Sequence, residues 1–152
     1  MINRLALILE KNKINFHPVV EFNPATDKLL QLDFTEANKE LNDDIINYTK
    51  HFAWYVNNKL EAGKYKYGIG GYNENRVLYK RSKHFEASSF GGGLEEARSI
   101  HLGIDIWGTA GTKIYTPLGG VVHSFAFNNN FGDYGATIIL QHQLEGVAFH
   151  TL

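Results

Sequence analysis

The sequence of 152 residues contains no cysteine. That excludes a disulfide scaffold, thiol catalysis and any cysteine-ligated zinc site. Neither charge is in excess: 15 Lys and Arg stand against 16 Asp and Glu, for a net charge of −1. A globally cationic nucleic-acid binder is thereby excluded, and no nucleic-acid partner is expected. No apolar run approaches the roughly 20 residues that cross a bilayer, so no membrane partner is expected either. The opening segment Met1–Glu10 has one arginine and a short apolar stretch, which Glu10, Lys11 and Lys13 interrupt. No small-residue cleavage site follows. It reads as an amphipathic or core helix rather than an export signal.

What is present is enough apolar surface, 43% of residues, for one domain or a domain with an appendage. Charge is unevenly spread. Residues 101–152 contain only Lys113, Asp105, Asp133 and Glu145 as charged groups, yet eight of the fifteen glycines. The spacing divides the chain into a mixed helical region over 1–66, a Gly-, Tyr- and Arg-rich connection over 67–98, and a β region over 99–152. In the first, Leu41, Ile45, Tyr48, Phe52, Tyr55 and Leu60 recur at helical spacing and predict a helix over 44–61, with Gly63 as its C′ residue. Asn42-Asp43-Asp44 is read as helix interior or as a turn with a cap. Phe16–Phe22 and Lys28–Phe34 read as extended. In the connection, Gly91-Gly92-Gly93 reads as a hinge or mobile loop. After residue 100, alternating and β-branched runs at Lys113–Pro117, Val121–Phe127 and Ala136–Leu140 predict short strands. The fold class is α+β, the second part an antiparallel sandwich or barrel. A sheet with an open last edge implies pairing with a second copy, a homo-oligomer.

The informative segment is His101-Leu-Gly-Ile-Asp105-Ile. On a strand, His101 and Asp105 share one face while Leu102, Ile104 and Ile106 share the other. Four strand residues span about 13 Å, too far for one ion to bridge. Gly103 supplies the bend that brings imidazole and carboxylate onto one metal ion.

The longer string His101-Leu-Gly-Ile-Asp-Ile-Trp-Gly-Thr-Ala-Gly-Thr-Lys-Ile-Tyr-Thr-Pro-Leu-Gly-Gly-Val-Val122, followed by Gly132-Asp-Tyr-Gly135 and Thr137-Ile-Ile-Leu-Gln-His142, resembles the lysostaphin-type zinc metalloendopeptidases, which cut peptidoglycan cross-links. The resemblance covers about residues 98–152. It implies a barrel-sandwich hybrid-like fold, zinc as cofactor, peptidoglycan or a peptide as substrate, and His101 and Asp105 as two of three zinc ligands. Such enzymes are usually periplasmic or extracellular. The family's remaining active-site histidines lie in Tyr-x-His-Leu and His-x-His segments. The resemblance therefore places no catalytic residue within this chain and puts the expected histidine beyond Leu152. His142, His123 and His150 read as structural or solvent-facing. Trp107 and Tyr134, beside the motif, are candidates to line a peptide groove.

Two other readings stand beside the peptidase. One is a non-catalytic relative that binds peptidoglycan or a partner protein. The other is a β-rich carrier or phosphotransfer domain, since Pro117-Leu-Gly-Gly-Val-Val122 resembles the turns of such domains. A carrier requires a lysine in an exposed hairpin at a Met-Lys or Asp-Lys signal, and none is present in the β region; a phosphotransfer domain requires two facing histidines without the Asp.

Overall fold

The computed structural model describes residues 4–81, 99–129 and 133–152. The hinge expected at Gly91–Gly93 lies outside them, as does Gly132. The fold is α+β and rich in antiparallel pairing, distributed over two compact units. One comprises residues 23–110, the other residues 1–22 with 111–152.

In the 23–110 unit, β1 (Leu29–Leu32) and β2 (Tyr67–Gly70) are parallel neighbours, and β2 pairs on its other side with antiparallel β5 (Asp105–Trp107). Parallel neighbours need a long crossover, which two helices supply. The predicted stripe forms as α2 (Asp43–Asn47) and α3 (Thr49–Gly63), separated at Tyr48. Tyr48 is extended, among the weak helix formers Asn47 and Thr49. Asn42 caps α2, its side chain accepting from the Ile45 amide at 3.0 Å. At the far end the left-handed residue is Lys64 (φ 52°), and Gly63 is the last helical residue. The sequence reading was one residue early there, because the Tyr65 amide closes the helix by bonding back to Leu60 at 2.8 Å.

The helices bury Phe52, Tyr55, Val56 and Leu60 against Leu32 and Phe34, with Trp107 packed alongside. Phe34 is wholly buried and its ring lies 5.2 Å from that of Phe52. Asn38 donates to the Tyr55 hydroxyl, which donates in turn to Glu40 at 2.9 Å. Lys59 reaches the same Glu40 oxygen at 2.5 Å.

In the other unit, β6 (Val121–Asn128), β7 (Gly135–Leu144) and β8 (Val147–Thr151) form an antiparallel meander. Glu145 and Gly146, at φ 47° and 75°, turn β7 into β8, the paired positive angles of a tight hairpin. The segments Phe16–Phe22 and Lys113–Pro117, read as strands, are irregular. They nonetheless bond to each other, from the His17 amide to the Pro117 carbonyl and from the Tyr115 amide to the Val19 carbonyl, both at 2.9 Å. Helix α1 (Arg4–Asn12) is tied to the β7–β8 turn by Lys11 and Asn12, which both contact Glu145.

Two expectations follow from this packing. Phe34→Ala is expected to lower the unfolding free energy by about 3–5 kcal/mol in urea titrations, the scale for truncating a buried phenylalanine. The Lys59 ammonium and the Tyr55 hydroxyl hold the Glu40 carboxyl below its ordinary value. Its contribution to stability is therefore present above about pH 4.5 and lost as pH falls below that. The urea midpoint of Glu40→Gln should lie below that of the native chain at pH 7, and the gap should close as the pH falls through the lowered titration of Glu40.

Candidate metal centre

The site grows out of one interrupted ladder. Strand β2 and the short β3 (Glu74–Asn75) run along one side, β5 and the short β4 (Ile100–His101) along the other. Gly70 pairs with Asp105 and Glu74 with His101. All these pairs keep a single register, so the two short ladders are one ladder that opens in the middle. Residues 71–73 bow out on one side and residues 102–104 on the other. Asn73, at φ 56°, turns the first bow, and Gly103 lies in the second. The alternation of Ile100–Ile106 is thus broken where the sequence placed its bend.

The opening brings His101 and Asp105 together. His101 Nε2 lies 3.5 Å from Asp105 Oδ1. The bow also frees the Gly71 carbonyl, which lies 3.2 Å from His101 Nδ1. A carbonyl oxygen only accepts, so Nδ1 carries the proton and the Nε2 position turns towards the carboxylate. A neutral imidazole would then set a lone pair against a carboxylate oxygen. Either a second ring proton or a cation between the two atoms resolves that contact.

Two ligands about 2.1 Å from a tetrahedral zinc ion stand about 3.4 Å apart, close to the separation present. The Asp105 side chain is 37% exposed and that of His101 14%, so the pair is reachable from solvent. The donor set of one imidazole nitrogen and one carboxylate oxygen suits zinc or cobalt. Among the described residues no group of three His, Asp or Glu side chains converges on a point that would hold a metal ion.

Beneath the pair is a guanidinium that spacing alone does not reveal. Arg76 is 5% exposed; its Nη1 donates to Asp105 Oδ2 and its Nε to Glu74 Oε2 at 2.6 Å. Glu74 Oε1 accepts from the Phe34 amide at 3.1 Å. The Arg76 guanidinium lies 5.2 Å above the Phe34 ring, and its Nη2 is buried without a hydrogen-bond partner among the described residues. A buried charge is tolerated only when paired, and here it meets two carboxylates. The clue in the sequence was Glu74-Asn-Arg76 within a glycine-rich stretch, but nothing local links it to Asp105.

The Trp107 ring packs edge-on against Phe52 and Phe34, with centroids at 5.4 and 6.3 Å, which is a core position rather than a groove wall. Its indole nitrogen is buried. Tyr134 belongs to the other unit and is 77% exposed. There, His142 is buried, with Nδ1 at 3.0 Å from the Gly119 carbonyl and Nε2 at 2.8 Å from the Thr151 hydroxyl. Both nitrogens are engaged, as befits a structural histidine. His123 and His150 are exposed, and their rings touch edge to face at 4.9 Å.

Comparison with known protein families, curated proteins and solved structures finds no match to this chain.

Gly70 makes the cluster possible. A Cβ there would stand 2.7 Å from Arg76 Nη2 and 3.3 Å from Asp105 Cβ. Gly70→Ala should therefore displace the guanidinium and lower the thermal midpoint. Near-native stability in that variant would show that the cluster yields without cost.

Proposed function

We propose that the chain carries part of a zinc-dependent endopeptidase site that acts on peptidoglycan peptide cross-links, with His101 and Asp105 as two of its metal ligands. The observation that carries the reading is the 3.5 Å approach of His101 Nε2 to Asp105 Oδ1, with Nδ1 turned to the Gly71 carbonyl. Metal-binding histidines commonly donate their second ring nitrogen to a carbonyl in this way, which fixes tautomer and ring orientation. The resemblance of His101–Val122 to the lysostaphin-type peptidases supports the same residues.

In this reading His101 presents a neutral nitrogen and Asp105 a negative oxygen, and both are held by the backbone of the opened ladder. When bound there, zinc supplies Lewis acidity towards a peptide carbonyl and lowers the pKa of a bound water towards 7. Asp105 offsets part of the charge of the ion, and Gly71 holds the imidazole plane. Two protein ligands hold zinc more weakly than the three of a catalytic site. One feature favours a second reading, a non-catalytic relative: with Asp105 already bonded to buried Arg76, the His101–Asp105–Arg76–Glu74 chain is a complete ion-pair network without a metal.

Zinc titration by calorimetry separates the two. The peptidase reading expects weak, chelator-reversible binding by residues 1–152. His101→Ala and Asp105→Asn should each weaken it by more than about 10-fold, the lower scale for losing even an outer partner of a ligand. Hydrolysis of purified peptidoglycan by these residues alone should be absent. Zinc binding that ignores His101→Ala would contradict the metal assignment. Robust, chelator-sensitive cleavage would show that the site is assigned to the wrong residues.

A further inference from the structure

A carboxylate torsion is broad, so an unrestrained aspartate offers either oxygen, or both, to a cation. Asp105 is restrained. Its Oδ2 is turned inward to Arg76 Nη1, which leaves Oδ1 as the oxygen that faces His101 Nε2. The restraint is itself built in. Arg76 is buried over the Phe34 ring, Glu74 grips its Nε at 2.6 Å, and Glu74 is in turn anchored by the Phe34 amide.

The charges are arranged to suit a cation next door. An unopposed guanidinium beside the ligand would repel a divalent ion. Glu74 neutralises it, so Asp105 keeps its own charge for the ion. The geometry also needs a fork: Nε and Nη1 address two different carboxylates from one plane, which a lysine ammonium on its flexible stem does not reproduce.

We propose that Arg76, seated by Glu74, is a positioning residue that turns Asp105 so that Oδ1 alone faces an ion shared with His101. The proposal rests on the metal reading of the preceding section and adds to it the device that selects one carboxylate oxygen.

Cobalt(II) titration of the 152-residue chain tests it, read by calorimetry and by the visible absorption of the bound ion. Glu74→Gln keeps an acceptor for the Phe34 amide but removes the charge and the acceptor for Arg76 Nε; Arg76→Lys keeps the charge and removes the fork. Both should bind cobalt about 10–100-fold more weakly, as is usual when an outer partner of a ligand is lost. Both should also change the position and intensity of the cobalt band, because the released carboxylate contributes different donors. Amide NMR spectra establish that each variant is folded, and if Arg76→Lys is not, Glu74→Gln decides. Native affinity in the folded variants would overturn the proposal, and so would weakened affinity with an unchanged cobalt band. His101→Ala serves as the separate arm: if cobalt binding survives it, the metal reading itself fails, whatever Arg76 does.

Discussion

A guanidinium withdrawn from water has to be met by carboxylates, and much of the 23–110 unit is arranged around that requirement at Arg76. One acid comes from two residues earlier in the chain, on the short β3, the other from β5. Removing either partner would leave a buried charge uncompensated, which costs far more than an exposed ion pair contributes. The pairing therefore ties the β3 segment to β5 and with it holds the ladder open between them. The opening in turn releases the Gly71 carbonyl and lets His101 approach Asp105.

The same residues belong to the hydrophobic core. Phe34 packs its ring at a tilt against Phe52, lies under Arg76 and gives its backbone amide to Glu74. Helix α3 thus reaches the polar cluster through one aromatic ring. Gly70 completes the junction, since any side chain there would occupy the space of the guanidinium. Packing and electrostatics are joined at one point, so a change in the core is felt at the exposed pair.

The helical stripe was readable because burial of one face imposes a three-and-four spacing on its own residues, whatever surrounds them. Its ends were read less well. Lys64, not Gly63, adopts the left-handed conformation, and the break at Tyr48 depends on which backbone groups find partners. Strand β8 escaped notice because the turn that creates it uses Glu145, a residue with no strong turn signal, beside Gly146. The segments 16–22 and 113–117 carried apolar spacing but are joined by isolated backbone bonds and a Tyr115–Glu21 hydrogen bond rather than by a strand ladder.

At the candidate site, parity along His101–Asp105 and the bend at Gly103 were contained in five consecutive residues, and so was the expectation that the two side chains meet. Arg76 was not. Its partner Asp105 is 29 residues away, and the anchor of Glu74, the Phe34 amide, is 40 residues away. Trp107, adjacent to the motif, turned to the core, where its ring packs edge-on against Phe34 and Phe52. The sequence by itself determined what depends on neighbours along the chain: helical and alternating periodicity, the cap at Asn42, the shared face of His101 and Asp105. Only the tertiary structure decided which oxygen of Asp105 is free and which charge lies beneath it. Those follow from the register of strands distant in the sequence, and local spacing carries no record of that register.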